Sequence, residues 1–327
     1  MSSIILADQD SIQKAADKIK KGEIVVLPTE TVYGLGADAT NTKAVQKIFD
    51  AKQRPAINPL IIHVVDKSDV DLYAEQNEIS KRLIEIFWPG PLTLILKSKA
   101  SHISPLVTAG LETIAIRMPE HPVMSQVIEK VGSPIAAPSA NKSGEPSATT
   151  PKDAAASLGD SVDMILAAGK CDVGLESTVI DISDDIPTIL RPGAISQKQI
   201  QEALNIQIEV NESSSNKPKS PGQLLKHYAP SIPVRLNAVD VKEGEALLAF
   251  GSLKFMGIEG GGFAKDLPDH QIMNLSEATD LDEAARNLFT MLRALDKPEF
   301  KAIAVMNIPD ENIGIAINER LKRAAQQ

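Results

Sequence analysis

Several polar segments follow apolar runs and contain side chains that bind anions or small polar groups. The first, LPTETVYGLGADAT (residues 27–40), places Thr29, Glu30 and Thr31 after a predicted strand and before two glycines. Hydroxyls at a strand end can hold a small polar substrate, and glycines let the backbone approach a ligand closely. The segment could instead be an ordinary polar turn, since a GxG pattern by itself is weak evidence for a binding site. The dense mixture of Thr, Glu, Tyr and Gly favours a site.

The second segment is KQRPAINPLIIH (residues 52–63). Lys52 and Arg54 end a predicted helix, where cations are often structural because the helix dipole favours them. Two X-Pro pairs stiffen the following loop, and a stiff loop with Arg54 and Asn58 suits a phosphate. A lone histidine beside an apolar strand is more often a core residue. Its neighbours favour a site role for His63.

The third segment, TIAIRMP (residues 113–119), places Thr113, Ala115 and Arg117 on one face of a strand, because side chains alternate. An arginine facing inward from a sheet needs an anionic partner. A buried carboxylate of the protein or a substrate carboxylate held by two hydrogen bonds would satisfy it. The residues alone leave both alternatives open.

Hydroxyl-rich loops follow two later strands. PIAAPSANKSGEPSATTP (residues 134–151) offers many hydroxyl and amide groups for phosphate oxygens, although an ordinary surface loop has a similar composition. GLESTVIDIS and ILRPGAIS add Ser177 and Arg191, each unremarkable alone. In open α/β sheets ligands bind at the carboxyl ends of strands, so these segments predict one shared groove.

Composition limits the class of function. The 327 residues carry a net charge of -9 and only 3% aromatic residues, which argues against a broad nucleic-acid footprint or a base-stacking platform. The chain has no GxxxxGK[ST] or HExxH motif, one cysteine and five histidines. A zinc site built by the protein is therefore not expected, and any metal should be Mg²⁺ that arrives with a nucleotide. No signal peptide or membrane-length apolar run is present, which predicts a cytoplasmic protein.

These segments need an α/β scaffold to position them. EIVVLP, PLIIHVV, LTLILK, TIAIRM and STVIDIS read as strands, TKAVQKIFDAK as a helix with Thr42 as N-cap, and EISKRLIEIFW as a second helix. Several strands follow one another without a helix, which predicts a mixed sheet. Residues 211–220 (NESSSNKPKS) read as a linker. After residue 231 strands and helices alternate, which predicts a smaller parallel α/β domain.

Taken together, the motifs resemble the Sua5/YciO/YrdC family. PTETVYGLG, KQRPAINPLIIHV, WPGPLTLIL, IAIRMP, APSANKSGEPSAT, ESTVID and LRPGAI carry the resemblance over residues 8–205, and SPGQLLKHYAP and AINERLKRAA extend it to the long two-domain form. The resemblance implies a YrdC-like mixed, twisted open sheet (residues 1–205), a linker or lid (206–230) and a Rossmann-like Sua5 domain (231–327).

The resemblance also implies an activity. The family's enzymes are nucleotidyltransferases that make threonylcarbamoyl-AMP and pyrophosphate from L-threonine, bicarbonate or CO₂, and ATP with Mg²⁺. The product serves the N6-threonylcarbamoyl modification of adenosine next to the anticodon of tRNA. Transient contact with the threonylcarbamoyl transferase complex and tRNA is an accompanying expectation, and contact with a membrane is not expected.

The resemblance assigns residues as well. The expected L-threonine site comprises Thr31, His63, Arg117, the backbone at Ala137, and Ser177. The expected ATP site comprises Arg54, Asn58, Thr113, Ser139, Ser147, Arg191 and, from the linker, Tyr228. Lys52, Arg54 and Arg117 are the expected catalytic residues, with Lys52 supporting the phosphates. The segment 220–230, with Lys226, His227 and Tyr228, is expected to close over the site as a lid.

Two other functions remain open at this point. The first is a non-catalytic, RNA-binding or translation-associated module of the same fold, against which the overall acidity argues. The second is a carbamoyl-transferring enzyme that uses carbamoyl phosphate, because related domains occur in hydrogenase maturation proteins. Those proteins carry zinc-finger and acylphosphatase segments, which this chain lacks.

Overall fold

A computed structural model of the protein describes residues 3–99, 102–184, 186–211, 227–254, 256–259 and 261–326. A large sheet organises the N-terminal part and a smaller one the C-terminal part. The strands of the large sheet are β1 (Ile4–Leu6), β2 (Val25–Leu27), β3 (Gly34–Asp38), β4 (Ile61–His63), β5 (Leu92–Lys97), β6 (Thr113–Arg117), β7 (Ile135–Ala136), β8 (Met164–Ala167), β9 (Thr178–Asp181), β10 (Thr188–Arg191) and β11 (Glu209–Val210). The helices around it are α1 (Gln9–Lys20), α2 (Thr42–Lys52), α3 (Val70–Tyr73), α4 (Glu78–Phe87), α5 (Pro105–Thr108), α6 (Pro122–Val131), α7 (Pro151–Leu158) and α8 (Gln197–Leu204).

The large sheet has the order β1-β8-β2-β3-β7-β4-β6-β5-β9-β10-β11. β4 and β6 pair in parallel, whereas β5 and β6 pair antiparallel, so the predicted mixed sheet is confirmed. In the β4–β6 pair His63 lies opposite Arg117, and both side chains therefore reach the same edge and face of the sheet. The topology thus brings together two predicted site residues from separate segments.

The helix α2 has the predicted bounds, but the prediction of its N-cap was wrong. Asn41 caps the helix, because its side-chain oxygen accepts hydrogen bonds from the backbone nitrogens of Lys43 (3.1 Å) and Ala44 (3.2 Å). Thr42 is already the first helical residue. At the other end Gln53 adopts a left-handed conformation (φ 51°), which ends the helix immediately before Arg54.

The C-terminal part is a small parallel α/β unit, as predicted. Its strands are β12 (Val234–Arg235), β13 (Asp240–Val241), β14 (Glu245–Ala249), β15 (Gly257–Ile258), β16 (Ile272–Asn274) and β17 (Ala302–Val305), and its helices are α9 (Leu281–Leu295) and α10 (Ile313–Ala324). Four of the strands form a parallel sheet in the order β12-β17-β14-β16. In α9 the buried side chains recur at helical spacing, from Ala284 and Leu288 to Leu292 and Leu295, so one face packs on this sheet.

The segment between the two sheets was predicted as a linker or lid (residues 206–230). Its strand β11 adds to the edge of the large sheet by pairing with β10. Residues 212–226 lie outside the described part of the chain, and with them most of the serine-rich linker and the lid residues 220–226. His227 and Tyr228 are described and buried.

The two parts pack closely together. Leu175, from the N-terminal part, belongs to the same buried cluster as Tyr228 of the linker and Phe289 and Ile317 of the C-terminal part. Thr149 and Thr290 share a hydrogen bond of 2.9 Å across the seam. Within the described ranges, no helix combines the length and apolar character needed to cross a membrane.

Candidate active site

The predicted polar segments converge on one cavity between the large sheet and the segment 227–228. Nine of the predicted site residues line it: Thr31, Arg54, His63, Arg117, Ala137, Ser139, Ser177, Arg191 and Tyr228. The open space among them is about 40 Å³, well below the roughly 300–1,000 Å³ of typical ligand pockets. This space by itself is too small to hold a nucleotide.

Arg117 lies at the carboxyl end of β6 with its guanidinium buried in the cavity wall. Its Nη1 donates to Thr31 Oγ1 (2.9 Å) and its Nε donates to the backbone oxygen of Gly90 (3.2 Å). Its Nη2 lies 2.6 Å from Glu30 Oε1, and both side chains are about 95% buried. The structure thus shows that a protein carboxylate is a partner of Arg117.

His63 and Ala137 line the same part of the cavity as Arg117. His63 Nδ1 lies 3.4 Å from the backbone oxygen of Ile135. Burial, and then the positive charge of Arg117, lower the pKa of His63 to about 3, so the imidazole is neutral at pH 7. Gly34 packs against Ala137 so closely that a Cβ on it would lie 3.1 Å from the Ala137 methyl. A neutral imidazole and a fixed backbone suit a small uncharged group.

Arg54 follows the C-terminal end of helix α2, and its side chain lines the cavity. Its Nε donates to the backbone oxygen of Asn58 (3.2 Å) and its Nη2 to that of Pro59 (2.9 Å). Its Nη1 has no acceptor among the described residues. Burial, and then the nearby charge of Arg191, lower the pKa of Arg54 to about 9. Two crowded guanidinium groups form a local positive site in a chain whose net charge is negative.

Arg191 is fixed by the loop before β9. Its Nε donates to the backbone oxygen of Ser177 and its Nη2 to Ser177 Oγ, both at 3.1 Å. The Ser177 hydroxyl also lies 2.7 Å from Thr93 Oγ1. Gly193 must be glycine, because a Cβ there would lie 2.4 Å from the backbone nitrogen of Thr178. Ser177 therefore connects the arginine subsite to the sheet.

Three predicted residues support the cavity from outside it. Lys52 is 1% exposed, and its Nζ donates to the backbone oxygens of Ser139 (2.6 Å) and Asn141, which holds the loop that presents Ser139. Burial lowers the pKa of Lys52 well below its usual value. Ser147 donates to Glu176, and the Asn58 side-chain oxygen is buried with no hydrogen-bond partner among the residues that the structure describes. These three act on the cavity through neighbours.

Thr113 lies at the start of β6 and does not line the central cavity. It lines an open groove of about 820 Å³ together with Lys97, Lys99 and Ser183. The two openings share one sheet face, whose apolar floor is formed by Ile61, Ile95, Ala115, Val179 and Leu190. Four strand steps separate Thr113 from Arg117, about 13 Å.

The cavity also contains Glu176, which was not predicted from the sequence, and His227, which was predicted only as part of the lid. Glu176 and His227 line it, and Glu30 pairs with Arg117. Burial opposes the charge of Glu176, but Arg320, Arg191 and the Ser147 hydroxyl lower its pKa to about 2. Burial lowers the pKa of His227 to about 3. Glu176 directly precedes Ser177, and His227 directly precedes Tyr228, within the recognised motifs. These positions in the sequence could have indicated that both residues belong to the site.

Tyr228 closes the cavity from the linker side. Its backbone is left-handed (φ 63°), its side chain is 1% exposed, and its ring stacks on Phe289 with centroids 5.4 Å apart. Burial raises the pKa of Tyr228 to about 12, so the phenol keeps its proton and can donate a hydrogen bond.

The fold and cavity define a two-domain α/β protein with a cavity lined by arginines at the carboxyl ends of its strands. The family model described as "Telomere recombination" (Sua5/YciO/YrdC) matches residues 17–193, and the model described as "Threonylcarbamoyl-AMP synthase, C-terminal domain" matches residues 195–326. The chain therefore belongs to the Sua5/YciO/YrdC family in its long two-domain form. The resemblance inferred from the motifs is confirmed.

Curated relatives and solved structures agree with this assignment. A threonylcarbamoyl-AMP synthase of Bacillus subtilis is 41% identical over 96% of this chain and 92% of its own length. One from Pyrococcus abyssi is 37% identical over 96% of this chain and 94% of its own. A crystal structure of P. abyssi Sua5 with L-threonine superimposes with a TM-score of 0.88 at 34% identity, over 99% of this chain and 98% of that one. The predicted two-part α/β fold class is thereby confirmed.

Proposed function

We propose that this enzyme makes threonylcarbamoyl-AMP and pyrophosphate from L-threonine, bicarbonate or CO₂, and ATP, which makes it a nucleotidyltransferase. Curated relatives that share almost the whole chain carry the synthase name, and a similar solved structure holds L-threonine. The observation that carries the proposal is the cavity itself. Arg117, which is paired with the Glu30 carboxylate, lines the same cavity as a second positive site formed by Arg54 and Arg191.

The amino acid would occupy the Arg117 side of the cavity. Glu30 stands where a substrate carboxylate would stand on the Arg117 guanidinium, so an incoming carboxylate would share or replace that contact. Thr31 and Ser177 supply hydroxyls, and His63 is held neutral. The β-hydroxyl and methyl groups of threonine match this mixture of hydroxyls and small apolar walls.

The phosphates of ATP would occupy the Arg54 and Arg191 side. Arg54 Nη1, which has no acceptor in the described part of the chain, and the Ser139 hydroxyl are donors suited to phosphate oxygens. The nucleoside would lie along the apolar floor toward Thr113, since the distance of about 13 Å along β6 is comparable to the extent of a nucleotide. Lys52, Asn58 and Ser147 would fix the loops behind these contacts.

The reaction divides into two balanced steps. The threonine amine and bicarbonate give a carbamate and water. A carbamate oxygen then forms a bond to the α-phosphorus of ATP, the bond to the β-phosphate oxygen breaks, and pyrophosphate leaves with its electron pair. The carbamate is already an anion, so the second step needs no general base. The protein contributes orientation and charge neutralisation, the main means of catalysis in phosphoryl transfer.

We also propose that Mg²⁺ arrives with ATP. The described residues contain no cluster of three or more His, Cys, Asp or Glu suited to a metal. Glu176 supplies carboxylate oxygens at the cavity wall, and Mg²⁺ usually takes one or two carboxylates in addition to phosphate oxygens and water. This donor set fits an ion that the nucleotide brings. When bound, the ion would neutralise phosphate charge and assist the departure of pyrophosphate.

The product would then serve tRNA modification. A mixed anhydride of this kind is labile in water, so closure of the cavity by the segment 227–228 would protect it. We propose that a threonylcarbamoyl transferase receives it, through transient contact with that complex and tRNA. The alternative of a non-catalytic RNA-binding module is not favoured, because the relatives that match over most of the chain are named as synthases.

The proposal is tested by pyrophosphate release that depends on both threonine and bicarbonate. Replacing Arg117 with Ala should raise the KM for threonine by at least 100-fold, because its charge-assisted hydrogen bonds are lost. The affinity for an ATP analogue should change much less. An unchanged rate at low threonine in Arg117→Ala would show that this arginine does not hold the carboxylate.

A further inference from the structure

One arginine of the C-terminal part lies entirely buried beside the cavity. Arg320 belongs to helix α10 and is 0% exposed. Its Nε donates to Glu176 Oε2 (3.0 Å), and its Nη1 pairs with Glu319 on the same helix. Glu176 lines the cavity and precedes Ser177, so Arg320 reaches the site through one intervening side chain.

The same guanidinium contacts the second residue that closes the cavity. Arg320 Cζ lies 5.3 Å from the centroid of the Tyr228 ring, within the range of a cation–π contact. Phe289 of α9 stacks on that ring as well. Tyr228 holds a left-handed backbone that non-glycine residues rarely adopt, so surrounding contacts must fix it. The two C-terminal helices supply these contacts.

Glu176 is shared between the two parts of the protein. Its Oε1 accepts from Ser147, in the hydroxyl-rich loop, and its Oε2 accepts from Arg320. Its chain neighbour Ser177 is bonded to Arg191. A shift of Glu176 would therefore move groups on the Arg191 and Ser147 sides together.

The approach of the two parts just before Glu176 is very close. A Cβ on Gly174 would lie 2.4 Å from the Cα of Arg286 and 2.7 Å from the backbone oxygen of Ala285, both in α9. The segment 174–177 thus runs from the domain seam directly into the cavity. The position of α9 and α10 therefore determines where Glu176 and Ser177 lie.

We propose that Arg320 is a positioning residue for the activation reaction: from the C-terminal domain it holds Glu176 and Tyr228 in the geometry that binds ATP. This inference rests on the proposed function, since ATP is the ligand that Glu176 and Tyr228 would meet. It gives the C-terminal domain a defined part in binding ATP for the activation step.

Stability alone does not explain this arrangement. A buried ion pair is often replaceable by apolar side chains without loss of stability. Arg320 Nη2 is buried without an acceptor among the described residues, which disfavours the fold. This unpartnered donor is accounted for if the Arg320 guanidinium must contact Glu176 and Tyr228 at the same time, because that geometry leaves Nη2 without an acceptor in the described part of the chain.

The test compares Arg320→Met and Arg320→Lys with a matched seam variant, Arg286→Met. Arg286 also crosses the seam, donating from Nε to the backbone oxygen of Asp172 (3.0 Å), but it contacts neither Glu176 nor Tyr228. The KM for ATP in pyrophosphate release and the Kd for a non-hydrolysable ATP analogue are measured for each. Arg320→Met should raise both at least 10-fold, with a smaller change in the KM for threonine. Arg320→Lys, which keeps the charge without the forked geometry, should recover part of this loss, and Arg286→Met should stay within about twofold.

Three results would overturn the proposal. They are an unchanged analogue Kd in Arg320→Met, equal losses in Arg320→Met and Arg286→Met, and a failure of Arg320→Lys to recover any affinity when folded. The double variant Arg320→Met/Glu176→Gln should bind the ATP analogue no more weakly than the weaker-binding of the two single variants. Additive losses of affinity in the double variant would argue against a shared role. If the wild-type protein binds the analogue but releases no threonine-dependent pyrophosphate, the proposed function fails while the Kd comparison still decides the role of Arg320.

Discussion

Arg117 and Glu30 form a buried ion pair, with Nη2 and Oε1 2.6 Å apart, at the place where the amino acid would bind. Neither Glu30 oxygen has a hydrogen bond of good geometry among the described residues, although the charges are close. The pair therefore offers charge neutralisation without strong directional bonding. A substrate carboxylate could compete for Arg117 on favourable terms.

This relationship predicts the behaviour of Glu30→Gln. Loss of one partner leaves the Arg117 charge buried and uncompensated, which should lower the free energy of unfolding by about 3 kcal/mol. L-Threonine should then raise the melting temperature of Glu30→Gln more than that of the wild type, because its carboxylate restores the missing charge. Calorimetry with and without threonine measures both effects.

Glu78→Gln is the control, since the Glu78–Lys81 ion pair is exposed and such pairs contribute little. It should leave stability and the threonine-induced shift unchanged. A threonine-induced shift in Glu30→Gln no larger than in the wild type would contradict the assignment of the carboxylate to Arg117.

Replacing Lys52 should affect both stability and nucleotide affinity. In Lys52→Met the backbone oxygens of Ser139 and Asn141 lose their buried donor, which should lower the free energy of unfolding by about 2–4 kcal/mol. The loop that presents Ser139 would loosen, so affinity for an ATP analogue should fall while the KM for threonine changes little. Urea denaturation and titration calorimetry measure the two quantities.

A control lies on the same helix. Lys47 donates to one backbone oxygen, that of Gly22 (2.7 Å), far along the chain from the phosphate loops. Lys47→Met should cost less stability and leave ATP-analogue affinity intact. If Lys52→Met kept full affinity, the loop would not depend on this contact.

The two buried histidines of the cavity predict a pH dependence of stability. The pKa values of His63 and His227 are lowered to about 3 in the folded protein, so both are neutral where an unfolded chain, with a pKa near 6.5, takes up protons. The unfolded state binds more protons in this window, so stability falls as pH decreases from about 7 toward 3. Between pH 7.5 and 5 each imidazole should account for about 2 kcal/mol.

His63→Gln should remove its share of this slope, as measured by urea denaturation at several pH values. The matched control is His102→Gln, which replaces an exposed imidazole and should leave the slope as in the wild type. Equal slopes in the wild type and in His63→Gln would show that His63 is not held neutral.

Tyr228 predicts that the C-terminal part is needed for nucleotide binding. Tyr228→Ala loses the ring that contacts Phe289 and Arg320, and should weaken ATP-analogue binding at least 10-fold. A chain ending at Asn211 lacks the ring and both helices, and should bind poorly as well. Tyr228→Phe keeps the stacking and should lose less affinity for the ATP analogue. The difference in affinity between Tyr228→Phe and the wild type measures the contribution of the phenol hydroxyl. Tight binding by the shortened chain would place the whole nucleotide site on the large sheet.

Much of the fold was predictable because hydrophobic periodicity is local. The strands β5 and β6 and the helix α2 were predicted from the spacing of apolar residues. The N-cap of α2 was off by one residue, because Asn41 and Thr42 are both good caps and only the backbone conformation decides between them. The alternation in β6 correctly placed Thr113 and Arg117 on one face.

The contacts between distant segments were not predictable in the same way. Glu176 and Arg320 are 144 residues apart, and nothing in either motif indicates that they touch. The direction of a long side chain is equally hidden, so Lys52 was expected to support phosphates, whereas its ammonium is bound to loop carbonyls. Its influence on phosphate binding stays a prediction.

The most direct test of the account is mass-spectrometric detection of the adenylate formed from ATP, L-threonine and ¹³C-bicarbonate, with L-serine as the comparison. The account predicts threonylcarbamoyl-AMP that carries the label, in amounts matching the pyrophosphate released, and less product with serine. ATP turnover without a labelled threonine adduct, or no turnover at all by the folded protein with Mg²⁺ present, would contradict it.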